Sequence, residues 1–599
     1  MSTTQGATTP NNGQLVDVSE LLASVSDAEI QAYLHQRKAQ QPENPTNPCL
    51  DAAEEKAERK KDEPKQEPKL EPEDKEEEPP IDLDDPYILP LQGSFKYSLS
   101  KSASRVFSRL HKTDIFYQRG GSVVRATKDG LEPETAQSLR TAVESYFNKI
   151  LLINNKPFNQ PGITAKTGTL SNDLAQAILA SGSISHLREI NSVSNCPVLI
   201  VKDGKLDPHK KGYAKAVSGG GVYVLGGKST IPATVEEAVK IVLEPFEQFD
   251  FVDDPDRTRA IAMAITPAMV QAGLVDGHTP IDFAEADQSQ AGKGYRHDIV
   301  TAIYNESPTL VTNRRNGVGS LDESISNAIL KGRPFIRLDN LRENLDSEVL
   351  ESYITTPPTG TTSVRGFRCQ GDVKGGQHIF QASSNGIQLT QDAANRSVII
   401  RIRKRPDGYK FRKYNEGYIL DHVRANYPKF LGAIHKIVME WYAQGRRESE
   451  GVSHDFRRWA GKLDWIMTHL FRRSDMLKGH RGLQNRISDD ALTTLRHIAV
   501  ELDHQDRLEY KIPFTTAELV EVLEESGVEV KGADIEAKTK TLGVKLGKVF
   551  KKVASNTPIW VDGYAVERGE KPVKYAKVTK PQKVYFFTKQ VTNTEQDTE

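Results

Sequence analysis

The sequence predicts an α/β protein: a strand-and-helix core, preceded by a mixed α+β region and followed by helices. Three observations lead there. Strand-like Pro280 to Ala286 runs into a glycine–lysine turn and then into a helical stretch from Arg296 to Tyr304, the strand, loop, helix order of a parallel-sheet unit. Between Tyr87 and Ile231, strand-like Gly121 to Arg125 and Pro197 to Lys202 alternate with a helical stretch from Thr135 to Ile153, as in an α+β layer. Beyond Ile419, stretches of helical periodicity replace strands, with Trp441, Trp459 and Trp465 spaced as core residues.

At 599 residues the chain has length for three or four domains, and a hydrophobic share of 37% supplies their cores. No apolar run approaches the roughly 18 residues of a membrane span. Met1 leads into Ser, Thr, Gly and Asn rather than a charged and then apolar leader, so a cytoplasmic protein is expected. Cys49, Cys196 and Cys369 have no metal-ligand spacing, which argues against a disulfide framework or a zinc site. The net charge of −1 conceals segregation, with acid in the N-terminal third and Arg and Lys recurring densely from Arg401 to Lys589. A basic half is the electrostatic footprint of a nucleic-acid partner, although such charges also solvate ordinary surfaces.

In chain order, residues 1–37 carry a short amphipathic helix over Val16 to Gln36, with Ser26 and Glu29 spaced as a capping box. It reads either as a docking peptide for a partner or as a locally helical tail. Residues 38–86 are Pro, Glu, Lys and Asp with almost no large apolar side chains, a disordered acidic tether. Residues 87–231 form the α+β region; Asp203 and Asp207 read there as turn residues, because Lys202-Asp-Gly-Lys205 is a hairpin turn. Residues 232–414 open with helices over Val235 to Gln248 and Asp254 to Gln271.

The loop Asp287-Gln288-Ser289-Gln290-Ala291-Gly292-Lys293-Gly294 follows. A phosphate-binding turn needs backbone N–H groups around the phosphates, a lysine on the β/γ oxygens and a hydroxyl on Mg²⁺. Gly292 and Lys293 supply the first two; Asp287 stands in place of the first glycine and Gly294 in place of the hydroxyl. Downstream, strand-like Pro334 to Leu338 ends in Asp339, suited to hold Mg²⁺, and His378 to Ser384 ends in Asn385, suited to orient water. Arg396 follows in Asn395-Arg396-Ser397, placed to reach a neighbouring subunit's γ-phosphate.

The order Gly-Lys turn, Leu-Asp-Asn, Ala-Ser-Ser-Asn and Asn-Arg-Ser before a hydrophobic-arginine strand resembles the AAA+ helicase domains related to superfamily 3, found in phage and mobile-element primase-helicases. The likeness covers roughly residues 100 to 430. It implies a hexameric ring in a bacterial cell or infected host, with ATP and Mg²⁺ at subunit interfaces and DNA through a central pore. It also implies that Thr362 to His378 forms a pore hairpin whose Arg365, Arg368 and Lys374 contact phosphates; the alternative is a surface loop with solvated charges. Asn340 stands where relatives carry a second acid, and an amide is no general base.

Residues 415–510 read as a helical lid. Residues 511–590 read as a winged helix: helices over Thr516 to Ser526 and Ala533 to Val553, then strand-like Pro558 to Val561 and Val584 to Thr588 around a charged loop, with Asp562-Gly563 as a hairpin turn. Lys545, Lys548, Lys551 and Lys552 are its DNA candidates, and residues 591–599 a disordered tail. The chain is thus expected to be an ATP-dependent DNA helicase or translocase, with a separate primase or other replication partner attached through the N-terminal helix. The alternatives are a slow or non-hydrolysing nucleotide-binding assembly protein and a nucleotide-gated defence ATPase.

Overall fold

The computed structural model describes residues 84–589 apart from 92–97, 156–162, 219, 276–277, 287–289, 313–318, 340–344, 346, 358–359, 367–368, 385–388, 509–511, 552–556 and 576–577. The chain divides into Met1–Ile81 and Asp82–Glu599, and every described residue belongs to the second unit. The helix and tether expected before residue 84, and the final tail, lie outside the described residues.

A six-stranded sheet organises the unit. Its order is Asp250–Phe251, Ser397–Arg403, Ile281–Ala286, Ile379–Ser384, Phe335–Asp339, Thr309–Thr312. All neighbours are parallel except the first, short pair. Parallel strands are buried on both faces, and here alternate side chains feed two cores. Phe335, Val398 and Ile400 pack against helices Asp254–Gln271, Lys293–Ile303, Tyr427–Ala443 and Arg457–His469. Phe283, Ile336, Leu338 and Ile399 pack on the other side, against Leu321–Leu330, Glu348–Thr355 and His480–Ser488. The result is a three-layer α/β/α core. Helix Asp254–Gln271, capped by Asp253, runs buried through most of its length despite Pro267. No described helix is long and apolar enough to cross a membrane.

The N-terminal region is three small sheets and a hairpin, Val198–Lys202 with Lys205–His209. Its turn residues Asp203 and Gly204 both have positive φ, 50° and 75°, the two-residue turn that Asp-Gly favours. This region grips the amino ends of the central strands. Arg119 donates to the carbonyls of Leu330 and Ile329 (2.5 and 2.9 Å), and Val193 N–H donates to Gly332 O at 2.9 Å.

Element ends and one hairpin differ from expectation. The helix after the phosphate loop begins at Lys293, three residues early. The expected Val235–Gln248 helix ends at Leu243 and passes into a 3₁₀ turn at Pro245, where proline has no N–H to continue the ladder. The stretch from Ile419 to Trp441 is two helices, parted at Asn426 before Pro428. The expected charged loop between Val561 and Val584 is instead mostly strand: Tyr564–Tyr575 and Val578–Lys589 pair along their whole length. Asp562 and Gly563 (φ 45° and 86°) turn Ile559–Val561 into Tyr564–Tyr575.

Buried histidines make the fold acid-sensitive. Burial drives His297 and His454 down to about 4, and His378 and His435 to about 3. An unfolded histidine titrates near 6.5, so this stability is present above that value and lost as pH falls towards 4. Each of the four is expected to remove up to about 1.4 kcal/mol per pH unit in that window. Urea midpoints at pH 7.5, 6 and 5 measure this; a midpoint unchanged from 7.5 to 5 contradicts it.

Candidate nucleotide site

The loop strand Ile281–Ala286 is buried throughout and ends where the phosphate loop starts. Its helix, Lys293–Ile303, starts behind Gly292, which holds φ 92° and gives no side-chain cap to the first turn. A helix opening in this way presents N–H groups and the positive end of its dipole to an anion. A Cβ at Gly292 would stand 3.3 Å from the Phe249 ring, whereas one at Gly294 would meet nothing within 4 Å. Gly294 is therefore not imposed by lack of space. Lys293 lies in the first helical turn.

Buried ion pairs fix this helix to the sheet. Arg296 bonds Asp282 on the loop strand, both fully buried, with His297 Nε2 3.6 Å from the same carboxylate oxygen. Burial alone would raise the Asp282 carboxyl; Arg296 and His297 hold it at about 2. Arg337, on the strand that ends in Asp339, reaches Asp298 of the loop helix (2.5 Å) and Gln381 of the intervening strand (3.2 Å).

Sheet register sets Phe283, Ala382 and Leu338 side by side. The carboxyl ends at Ala286, Ser384 and Asp339 thus share one edge, beside the point where strand order reverses, which is where ligands of such sheets bind. Asp339 closes its strand on that edge. Asn340, Asn385, Asp287, Gln288 and Ser289 lie outside the described residues. Gln290 (φ 63°), Ala291, Gly292, Lys293 and Gly294 line a cleft of ≈ 770 Å³, within the roughly 300–1,000 Å³ of small-molecule sites.

The far wall of the cleft was missed in the sequence. It is built by Gln248 to Asp250 and by the segment after strand Ser397–Arg403. Arg405 donates to the carbonyls of Gln248 and Phe249, both at 3.1 Å, and lies 4.5 Å from the centre of the Tyr409 ring. Phe249, Tyr295, Tyr409, Phe411 and Tyr418 give the cleft an aromatic lining, with Phe411 51% and Tyr418 49% exposed. Arg403 is exposed beside them and has no ion pair among the described residues. The signal for it in the sequence is the density of rings and cations from Arg403 to Tyr418.

The groups that an ATP molecule would meet in this cleft are an uncapped helix start with Lys293 and, beside it, the rings of Phe249 and Tyr295. For Mg²⁺ the described carboxylate residues lining the cleft are Asp250 and Asp407; of Asp339 only the backbone is described, and Gly294 brings no hydroxyl. That suits an ion that keeps most of its waters and takes phosphate oxygens.

Arg396 stands elsewhere. Its carbonyl accepts from Ile281 N–H, at the amino end of the loop strand, so five strand steps, about 17 Å, separate it from the loop of its own chain. Its guanidinium pairs with Asp392. The expected hairpin is present as Thr361–Gly366 and Cys369–Lys374, but it lies against helix Leu321–Leu330: a Cβ on Gly366 would come within 2.2 Å of Asn327. Arg365 is exposed, Lys374 pairs with Glu189 at 2.8 Å, and Arg368 lies outside the described residues. In helix Ile535–Phe550, Lys545 pairs with Asp490 at 2.7 Å; Lys548, and Lys551 just beyond the helix, are exposed, and Lys552 lies outside the described residues.

No family model and no curated protein matches the chain. Among solved structures, one described as "SCCmec type IV Cch - active helicase" is similar at 8% identity and a TM-score of 0.25, over 79% of this chain and 97% of that one.

The two glycines should respond differently to substitution. Gly292→Ala forces a Cβ into a left-handed backbone and is expected to lower unfolding free energy by about 1–2 kcal/mol. Gly294→Ser should change it by no more than about 0.5 kcal/mol. Urea titrations of the pair decide the point, and equal losses would contradict it.

Proposed function

We propose that the chain is an ATP-dependent, ring-forming DNA helicase or translocase that serves replication of a phage or mobile element. One observation carries this reading. A glycine–lysine turn opens a helix at the carboxyl edge of a parallel sheet and lines a cleft of nucleotide size, and a second strand, one strand removed, ends in an aspartate on the same edge. In the proposed reaction Lys293 holds the β/γ-phosphates and Asp339 holds the shell of Mg²⁺, which when bound offsets charge on the transferring phosphoryl group. Asn385 orients the attacking water, and Arg396, remote from its own loop, serves the loop of the adjacent subunit in a hexamer. The aromatic wall takes the base. Arg365, Arg368 and Lys374 on the hairpin, with Lys548, Lys551, Lys545 and Lys552 on a C-terminal winged helix, provide the cations for DNA, and a separate replication partner docks on the N-terminal helix.

Gly294 favours a second reading, in which nucleotide binds and sets assembly without turnover. Phosphate release with and without single-stranded DNA separates the two. The wild type is expected to hydrolyse ATP faster with DNA, and Lys293→Ala and Asp339→Asn to lose about a hundredfold in rate. Nucleotide binding with no turnover in the presence of DNA would sink the helicase reading.

A further inference from the structure

The loop strand carries a second buried carboxylate. Glu285, one residue before the strand ends, is 1% exposed, and its partners come from far along the chain. Arg486, in helix His480–Ser488, bonds both of its oxygens, one at 2.7 Å. Arg496, in helix Asp490–His504, lies 3.7 Å away. Burial would raise the Glu285 carboxyl, but the two guanidiniums hold it well below the usual range.

Both arginines are shared. Their Nε atoms lie 3.1 and 2.9 Å from Asp562 Oδ2, in the turn that joins Ile559–Val561 to Tyr564–Tyr575. Side-chain exposure along this series is only 1%, 4%, 8% and 13% for Glu285, Arg486, Arg496 and Asp562. Ion pairs this deep are strict about geometry, because a guanidinium moved out of register leaves a buried charge unanswered. A solvent-open cleft adjoins the junction. It has a volume of ≈ 350 Å³ and lies between Lys478, Gly479 and Arg486 on one side and Trp560, Val561 and Asp562 on the other. Contacts this strict favour discrete arrangements over continuous deformation.

We infer that Glu285, Arg486, Arg496 and Asp562 form a positioning relay, through which the docking of the C-terminal helices and hairpins sets the conformation of the phosphate loop, and nucleotide in the loop sets that docking. The inference rests on the nucleotide reading of the loop. Linkage makes the effect reciprocal. None of the four residues need touch nucleotide; they act through Ala286 and the loop that follows it.

Trp560 reports the junction. It is 59% exposed, whereas Trp441, Trp459 and Trp465, the other tryptophans, are buried. Acrylamide quenching of the full chain is measured with and without a non-hydrolysable ATP analogue and Mg²⁺, and binding of a fluorescent ATP analogue is followed in parallel. Trp560→Phe supplies the background of the buried rings. Nucleotide is expected to change Trp560 quenching in the wild type. In Asp562→Asn and Glu285→Gln the change should vanish and nucleotide affinity should shift by about fivefold or more. Melting curves check folding, and Asp562→Asn carries the test alone if Glu285→Gln does not fold. Wild type that binds nucleotide with unchanged quenching, or Asp562→Asn that responds like wild type, overturns the relay. Wild type that binds no nucleotide overturns the loop reading and the relay together, and the missing binding signal tells that case apart.

Discussion

Strand Ile281–Ala286 carries Asp282 and Glu285 three positions apart, so they point to opposite faces of a sheet covered on both, and neither could stay ionised there without a guanidinium. The molecule is assembled around that requirement. On one face Arg296 answers Asp282 and thereby fixes the loop helix to the loop strand. On the other face Arg486 answers Glu285 and fixes helix His480–Ser488, and with it the C-terminal hairpins through Asp562. Removing one member of such a pair costs about 3–5 kcal/mol, while replacing the whole pair by apolar residues is often neutral. The pairs are therefore weak sources of stability and strong sources of geometry. They fix the strand and the helix on either side of the glycine–lysine turn more than they decide whether the chain folds.

The parts of this arrangement that sequence discloses are those written in local chemistry. Strand, glycine–lysine turn and helix follow one another within 25 residues, and Asp-Gly at 203–204 and 562–563 marks two-residue turns by the positive φ that such dipeptides tolerate. Periodicity starts the loop helix three residues late because Lys293, Gly294 and Tyr295 are not an apolar stripe; Gly292 with φ 92° begins it. The long hairpin Tyr564–Lys589 was hidden by its composition. Glycine, two prolines and many charges read as loop, although Pro572 and Pro581 face one another in register. Nothing local marks the partners of Glu285: Arg486 is 201 residues away, and an arginine in a helix looks like surface until the fold buries it.

The two edges of the central sheet have separate tasks. At the carboxyl edge lie the loop, Asp339 and the aromatic cleft. At the amino edge lie the N-terminal region, whose Arg119 and Val193 grip the Leu330 to Gly332 turn, the hairpin Thr361–Lys374, and Arg396. Groups at the amino edge cannot share a phosphate with the loop of the same chain. In the proposed ring, the same separation makes Arg396 and the hairpin useful, because one subunit's amino-edge groups are presented to something outside that subunit. A monomer with all of them around its own cleft would have no reason to assemble.

The composition of the cleft bears on Gly294 as well. In the proposed reaction a hydroxyl at that position would add one ligand to Mg²⁺, but holding the phosphates depends mainly on the backbone N–H groups of the helix start, on Lys293 and on the dipole behind them, none of which involves the side chain at 294. In that reaction a glycine would subtract from metal placement while leaving anion binding intact. The rings of Phe249, Tyr295, Tyr409 and Phe411, with Arg405 pinning Gln248 and Phe249, supply apolar contact along the rest of the cleft, where binding depends little on the metal. In the proposed reaction, then, affinity and turnover would rest on different residues of one site, and Gly294 would weaken the second far more than the first.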